Sequence, residues 1–219
     1  MAVAGERGPL WLLADEQLSG RGRFGRQWVS APGNLYCTFI LPTDATPATI
    51  PQLAFVVALA VHDTIASACG GAHVKLKWPN DCLLDVGKVA GILCETLGQG
   101  VVAIGCGINV AHAPQGLAYA TSFVRQKRGD IAVADIFASY RQNFAARLAQ
   151  WNNGTGIAAI LSDWQDRAQG LNAAIEVKQG ENLRRGVFLG LAPDGALRLQ
   201  KPDGTIENVY AGDVSPSTH

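Results

Sequence analysis

The 219-residue chain contains no run of roughly 20 unbroken apolar residues, so composition gives no helical membrane span. It also lacks a basic excess. Lys+Arg and Asp+Glu both number 18, so there is no positive field of the kind that wraps nucleic acid. Met1 to Gln17 shows no basic, then apolar, then small-residue order, so no secretory signal is expected and the chain reads as cytoplasmic. The five cysteines (Cys37, Cys69, Cys82, Cys94, Cys106) form no C-x-x-C pair and are odd in number. Several sit in apolar runs and read as reduced core thiols. His62, His73, His112 and His219 show no ligand spacing, so no resident metal site is expected. No G-x-x-x-x-G-K-[ST] occurs, which excludes a P-loop. Long repeats and low-complexity linkers are absent too.

What is present is nearly half apolar, enough for one good core and a small second domain. Leu10 to Ala14 reads as a buried strand; Trp28 to Val29 and Leu35 to Leu41 read as extended, with a Pro32-Gly33-Asn34 turn between them. A helix is expected from Thr49, where Thr49 and Gln52 fit a capping box, to Gly70-Gly71. Val74 to Trp78, Leu83-Leu84, Val89 to Thr96 and Val101 to Val110 read as strands apolar on both faces, as in a sheet covered by helices. Helices are expected over Val133 to Trp151, with Phe137, Tyr140, Phe144 and Leu148 on one stripe, and over Ile157 to Ala168. After Gly170 the texture changes to short strands at 175–178, 187–191, 196–199 and 206–210, separated by Pro-Asp-Gly turns. This is a β module of about 45 residues, small for a core of its own.

Three segments carry chemistry. Gly20-Arg21-Gly22-Arg23-Phe24-Gly25-Arg26-Gln27-Trp28 matches G-x-G-x-x-G, but a dinucleotide fingerprint must open a helix. The Pro32-Gly33 turn leaves no room for one, and three arginines occupy a loop that would otherwise work through backbone amides. The segment reads as a mobile anion clamp, with guanidinium forks on flexible glycines; the bland alternative is a solvated basic loop. Lys77-Trp78-Pro79-Asn80-Asp81, with Lys88 seven residues on, places a carboxylate, an amide and two ammonium groups about one corner, though it could be only a strand end and a turn. Gly105-Cys106-Gly107-Ile108-Asn109 ends a strand with glycines that either admit a ligand or form a bulge.

Taken together in order and spacing, these segments, with Pro32-Gly33-Asn34-Leu35-Tyr36, Gly87 to Leu93 and Glu95, resemble the biotin–protein ligase family, in a short form without a DNA-binding domain. Ala211-Gly212-Asp213-Val214 fits the C-terminal domain of that family, and the resemblance covers nearly the whole chain. It implies an α+β fold: residues 1–170 as a mixed-sheet, class II aminoacyl-tRNA synthetase-like catalytic domain, and residues 171–219 as a small SH3-like barrel. It implies a ligase that uses ATP and Mg2+ to turn biotin into biotinyl-adenylate. Biotin would then pass to a lysine of a biotin carboxyl carrier protein domain. Catalytic roles fall on Lys88, Arg23 and Asp81. Biotin contacts fall on Gln17, Arg21, Arg23, Lys88, Gly91 and Gly105. Adenylate contacts fall on Arg21, Arg23, Arg26, Trp28, Asn80, Lys88 and Asn109. DNA and membrane partners are not expected, and the assembly state is open, a homodimer included.

The family also carries a leading helix and strand with a Ser-Thr-Asn motif that bonds the biotin ureido ring; no Ser-Thr-Asn occurs in this sequence. That departure implies either a start upstream of Met1 or a weaker biotin pocket. The alternatives are a lipoate- or octanoate-transferring relative, which shares the catalytic architecture, and a non-catalytic biotin-binding module.

Overall fold

The computed structural model describes residues 8–69, 74–98 and 100–217. The expected helix end at Gly70-Gly71 lies outside them, as do His73 and His219. Six strands form the larger sheet: β1 (Leu10–Ala14), β2 (Leu35–Pro42), β3 (Val74–Lys77), β4 (Asp81–Leu84), β5 (Gly87–Gly98) and β6 (Val101–Ile108). Their order is β1-β2-β6-β5-β4-β3.

All of its ladders are antiparallel, which corrects the mixed sheet expected from sequence. The reason is connectivity. β3 to β6 follow one another through tight turns, and parallel neighbours would need crossovers of a dozen or more residues. The α+β class holds. Among the described residues, parallel pairing survives only as isolated bridges, Leu76 with Ala168 and Lys88 with Thr121.

The sheet has two unlike faces, because side chains alternate along a strand. Val102, Ile104, Cys106 and Ile108 of β6, Leu35 and Cys37 of β2, and Ala90 and Ile92 of β5 enter the hydrophobic core. Helices α1 (Leu53–Ala68), α2 (Val133–Trp151) and α3 (Ile157–Asp166) cover that face. Every residue of α1 from Leu53 to Val61 is buried except Ala54, so it is apolar all round, as a central helix must be. Ile50–Ala68 is long and apolar enough to cross a membrane, but most of it is buried inside this fold. Trp11 and Phe39 meet Phe144 of α2 edge-on at 5.6 and 5.4 Å between ring centroids, locking α2 over β1 and β2.

The capping box does not form. Residues 50–52 make a 3₁₀ turn, the Thr49 hydroxyl bonds Thr46, and Gln52 instead turns inward to accept the indole N–H of Trp151 at 2.8 Å. Burying that indole requires an acceptor, and this demand wins over a cap. All five cysteines are free, and burial pushes the Cys94 thiol up to about 12, so it stays protonated.

The second sheet comprises β7 (Ala174–Gln179), β8 (Asn182–Leu191), β9 (Leu197–Gln200), β10 (Ile206–Val209) and β11 (Asp213–Pro216), ordered β10-β9-β8-β7-β11 and antiparallel. Strand β11 escaped the sequence reading; it is four residues long and ends in Pro216. Side-chain bonds from β3's end and from α3 seat this sheet against the first layer, and a backbone pairing of β3 anchors the segment that leads into it. Trp78 Nε1 donates to Gly195 O at 3.2 Å, and Leu191 N to Gln165 Oε1 at 2.7 Å. Leu76 pairs through its backbone with Arg167 and Gln169.

An ion cluster ties the helices together. Arg147 bonds Asp63 at 2.7 Å and Asp163 at 2.5 Å. Burial raises the Asp63 carboxyl, but His62, Arg147 and Arg167 outweigh it and hold it below the usual range; Asp163 behaves likewise through Gln150 and Arg147. Depressed carboxyls contribute stability above their unfolded pKa, and that contribution is lost as pH falls through the folded value. Arg147→Met is therefore expected to cost about 1–3 kcal/mol at pH 7, as partners of partly buried groups do. Below about pH 4 the gap from the parent should narrow. Urea unfolding at pH 7 and pH 3 checks this; an equal gap at both would contradict it.

Candidate active site

The face of the sheet away from the helices carries little side-chain bulk at its middle, where Gly91, Ala103, Gly105 and Gly107 lie. Cross-strand partners form rows on it: Tyr36, Gly107, Gly91 and Asp81 in one, Thr38, Gly105 and Leu93 in the next, then Ile40, Ala103 and Glu95. A cavity of about 810 Å³ lies above these rows. The arginine loop, Tyr119-Ala120, the 169–175 connection and Asp213 to Pro216 of the second sheet wall it.

Lys88 reaches this face through a β-bulge. The β4–β5 register shifts between Cys82 and Leu83, so that Cys82 faces Ala90 while Leu83 faces Lys88. The extra residue, Val89, drops into the core, and the side-chain parity flips. Lys88, three positions from Gly91, thereby shares its face instead of opposing it. Its Nζ bonds Asp81 Oδ1 at 2.7 Å and lies 5.4 Å from the Trp28 ring and 5.8 Å from the Tyr119 ring. The 120–122 strip zips to the backbone of Lys88, with Lys88 N donating to Ala120 O and Ser122 N to Lys88 O, both at 2.9 Å.

The arginine loop closes on itself at its neck. Trp28 N donates to Gly20 O at 2.9 Å, and Gly22 N to Arg26 O at 2.7 Å. A Cβ at Gly20 would stand 2.4 Å from Trp28 O, so only glycine lets the two sides meet. Phe24, at the tip, takes a left-handed φ of 57° and is exposed. The Trp28 indole lies flat on the sheet floor. A Cβ at Gly107 would come within 2.6 Å of it and one at Gly91 within 3.0 Å, so these glycines are the space the ring occupies. The buried Nε1 of Trp28 finds no acceptor among the described residues.

Arg23 is half-buried; among the described residues its guanidinium makes one long hydrogen bond, 3.4 Å to Asn80 Oδ1, and lies 4.9 Å from the Phe24 ring. Burial pushes its pKa down, while the charges of Asp213 and Asp81 oppose that. A desolvated cation so sparsely bonded favours an anion. Asn80 is held by Ile92, donating to Ile92 O at 2.7 Å and accepting from Ile92 N at 3.1 Å, so the corner after the cis Trp78–Pro79 bond is rigid.

The structure gathers Gln17, Arg21, Arg23, Arg26, Trp28, Asn80, Asp81, Lys88, Gly91 and Gly105 around this cavity. Gln17 accepts from the Ser30 hydroxyl at 2.8 Å. Asn109 is placed otherwise: it is 2% exposed, behind the lining, donating to Ser122 O at 3.1 Å and Lys88 O at 3.4 Å, so it braces the strip that carries Lys88. Its Oδ1 has no donor among the described residues. Sequence reasoning gave no site role to Thr38, Tyr119 or Asp213. Alternation along β2 signals Thr38 once Cys37 is assigned to the core; Tyr119 sits in an irregular loop with no such signal, and Asp213 in the unread strand β11.

The family model described as the biotin/lipoate A/B protein ligase family matches residues 4–111, and the biotin protein ligase C-terminal domain matches residues 170–215. The chain is 39% identical to the biotin–[acetyl-CoA-carboxylase] ligase of Paracoccus denitrificans over 91% of its own length and 88% of that protein's. It is 30% identical to the bifunctional ligase/repressor BirA of Bacillus subtilis over 93% of its own length but 65% of that protein's. Among solved structures, the biotin protein ligase of Aquifex aeolicus in complex with biotin and ATP superposes with a TM-score of 0.82 at 26% identity, covering 94% of this chain and 87% of that one. With both of its sheets matched and its cavity walled by both, this chain belongs to the biotin–protein ligase family.

Proposed function

We propose that this chain activates biotin with ATP to biotinyl-adenylate and transfers the biotinyl group to a lysine of a biotin carboxyl carrier protein domain. The observation that carries this reading is the cavity's two-ended chemistry. Lys88, Arg21 and Arg23 bring cations to one part of the cavity, while Thr38, Gly105 and Leu93 line the next row with neutral groups. The rows are two residues apart, about 7 Å along a strand, a span suited to a short acyl chain with an anionic end and a neutral ring. The same reading takes residues 1–170 as a synthetase-like catalytic domain and 171–219 as an SH3-like barrel, which the five short strands β7 to β11 support.

In the first step the biotin carboxylate attacks the α-phosphorus of ATP and pyrophosphate leaves. Charge grows on the non-bridging α-oxygens, and Lys88 is preorganised to meet it: Asp81 holds its ammonium and the indole of Trp28 flanks it. Arg23 gains with the adenylate the anionic partner it lacks. Mg2+ would arrive with the nucleotide and neutralise the phosphate chain; the Asp81 carboxylate and Asn80 Oδ1 are oxygen donors on the cavity wall that could hold it or its waters. In the second step the acceptor lysine attacks the mixed anhydride and AMP leaves. A free lysine, with a pKa of about 10.4, is mostly protonated at neutral pH, so a base must take its proton. Asp81 lies in the row of Gly91, where its carboxylate can orient the incoming amine and take the proton it sheds on attack.

The direct test is ATP–pyrophosphate exchange. Exchange that depends on biotin is expected; exchange supported by lipoate or octanoate but not by biotin would remove the assignment. Lys88→Ala should slow adenylation by roughly 100-fold or more, the scale of one lost charge-stabilising donor. Lys88→Arg should recover only part of it, since a planar fork replaces a point charge. Single-turnover adenylation measures both, and near-parental rates would make Lys88 a bystander.

A further inference from the structure

The arginine loop holds three arginines of one sign, yet one of them already has a partner. Arg26 Nη1 donates to Asp213 Oδ1 at 3.0 Å, and Arg26 Nη2 donates to Asp213 Oδ2, a two-pronged contact between residues 187 positions apart. We infer that Asp213 is a positioning residue: by gripping Arg26 it straps the arginine loop over the cavity, so that the second sheet sets how long the adenylate is retained. This rests on the adenylation reading above and adds a residue from outside the catalytic sheet to it.

The two ends of the strap differ in rigidity. Asp213 opens β11 and pairs with Lys178 of β7. Gly212 before it has a φ of 151°, and a Cβ there would stand 2.6 Å from Val177, so the chain is pressed onto β7 and the carboxylate has a fixed root. Arg26 belongs to a loop whose neck is closed by backbone bonds but whose tip, Phe24-Gly25, makes no backbone tie of its own. Beyond the neck, two side-chain tethers among the described residues hold the loop. One is the long Arg23–Asn80 bond, and the other is the Arg26–Asp213 fork.

Two consequences follow. Arg26 is occupied by a carboxylate rather than free for a phosphate, so its part in retaining the adenylate is mechanical. And because the Arg26 and Asp213 side chains are 56% and 52% exposed, the strap is weak enough to open for substrate entry and is sensitive to salt. The bond to Asp213 raises the Arg26 pKa, and the same carboxylate favours the charged form of half-buried Arg23.

The test is a cycle of Asp213→Asn, Arg26→Gln and the double variant, with release of biotinyl-adenylate measured after dilution. Each single change should speed release roughly three- to five-fold, the range of an exposed but well-formed ion pair. The double variant should release no faster than the faster single one. Added salt should speed release from the parent and barely affect Asp213→Asn. Unchanged release in Asp213→Asn, or a double effect equal to the product of the singles, overturns the strap; the latter would mean that Arg26 acts on the adenylate itself. A second readout needs no activity. Trypsin cleavage within residues 20–28 of the ligand-free chain should rise in Asp213→Asn, and equal cleavage overturns the proposal. If the parent forms no adenylate, the functional reading has failed, and the trypsin comparison still decides the strap.

Discussion

In β6, Val102, Ile104 and Cys106 face the helices while Ala103, Gly105 and Gly107 face away, and the same alternation runs through β2 and β5. The covered face takes the aromatic and aliphatic bulk: α1 seals the centre, and Trp11, Phe39 and Phe144 seal one flank. The open face is left with glycine, alanine and threonine at its middle, so it cannot be filled from within the sheet. The cavity is the result of that asymmetry, and everything around it has to be supplied from loops and from the second sheet.

One local irregularity makes the bare face chemical. Without the bulge opposite Leu83, Lys88 would point into the helices, where an unpaired ammonium could not stay charged. With it, Lys88, Asp81 and Gly91 share one corner. The loop then lays Trp28 onto the glycines, and Asn109 ties the strip beside Lys88 from behind. Each of these contacts has slack in few directions: a Cβ at Gly107 collides, and Asn80 is held by both polar groups of Ile92. The arginines have more slack, as a clamp that must open requires.

Much of this was legible in the sequence. The strands β1, β2, β5 and β6 and the helix Val133–Trp151 are long and strongly patterned, and their limits agree with the reading to within a few residues. The sequence also singled out Arg21, Arg23, Lys77 to Asp81 and Lys88 by their order along the chain, and all of them line the cavity. What escaped was set by tertiary demand. Gln52 serves a buried indole 99 residues away rather than a cap. Asn109 reads as a strand-end ligand but spends its amide on two carbonyls. Asp213 gains its role only because folding brings β11 to the mouth of the cavity, a pairing 187 residues apart that no local pattern announces. The sheet's antiparallel order was open to inference from the short turns between β3 and β6, but apolar runs on both faces pointed elsewhere.

The claim that the bare floor is ligand space can be tested at Gly105. Its φ is not left-handed, and a Cβ there would meet nothing closer than 3.4 Å, so the fold does not demand glycine at this position. Gly105→Val should fold as the parent does, since a β-branched residue suits a strand. The measurement is calorimetric titration with biotin, alongside thermal unfolding of both proteins. The expected result is an unchanged melting temperature with biotin affinity lowered roughly ten- to hundred-fold, the cost of overfilling a packed site. Parental affinity in a well-folded Gly105→Val protein would show that biotin does not lie on this floor.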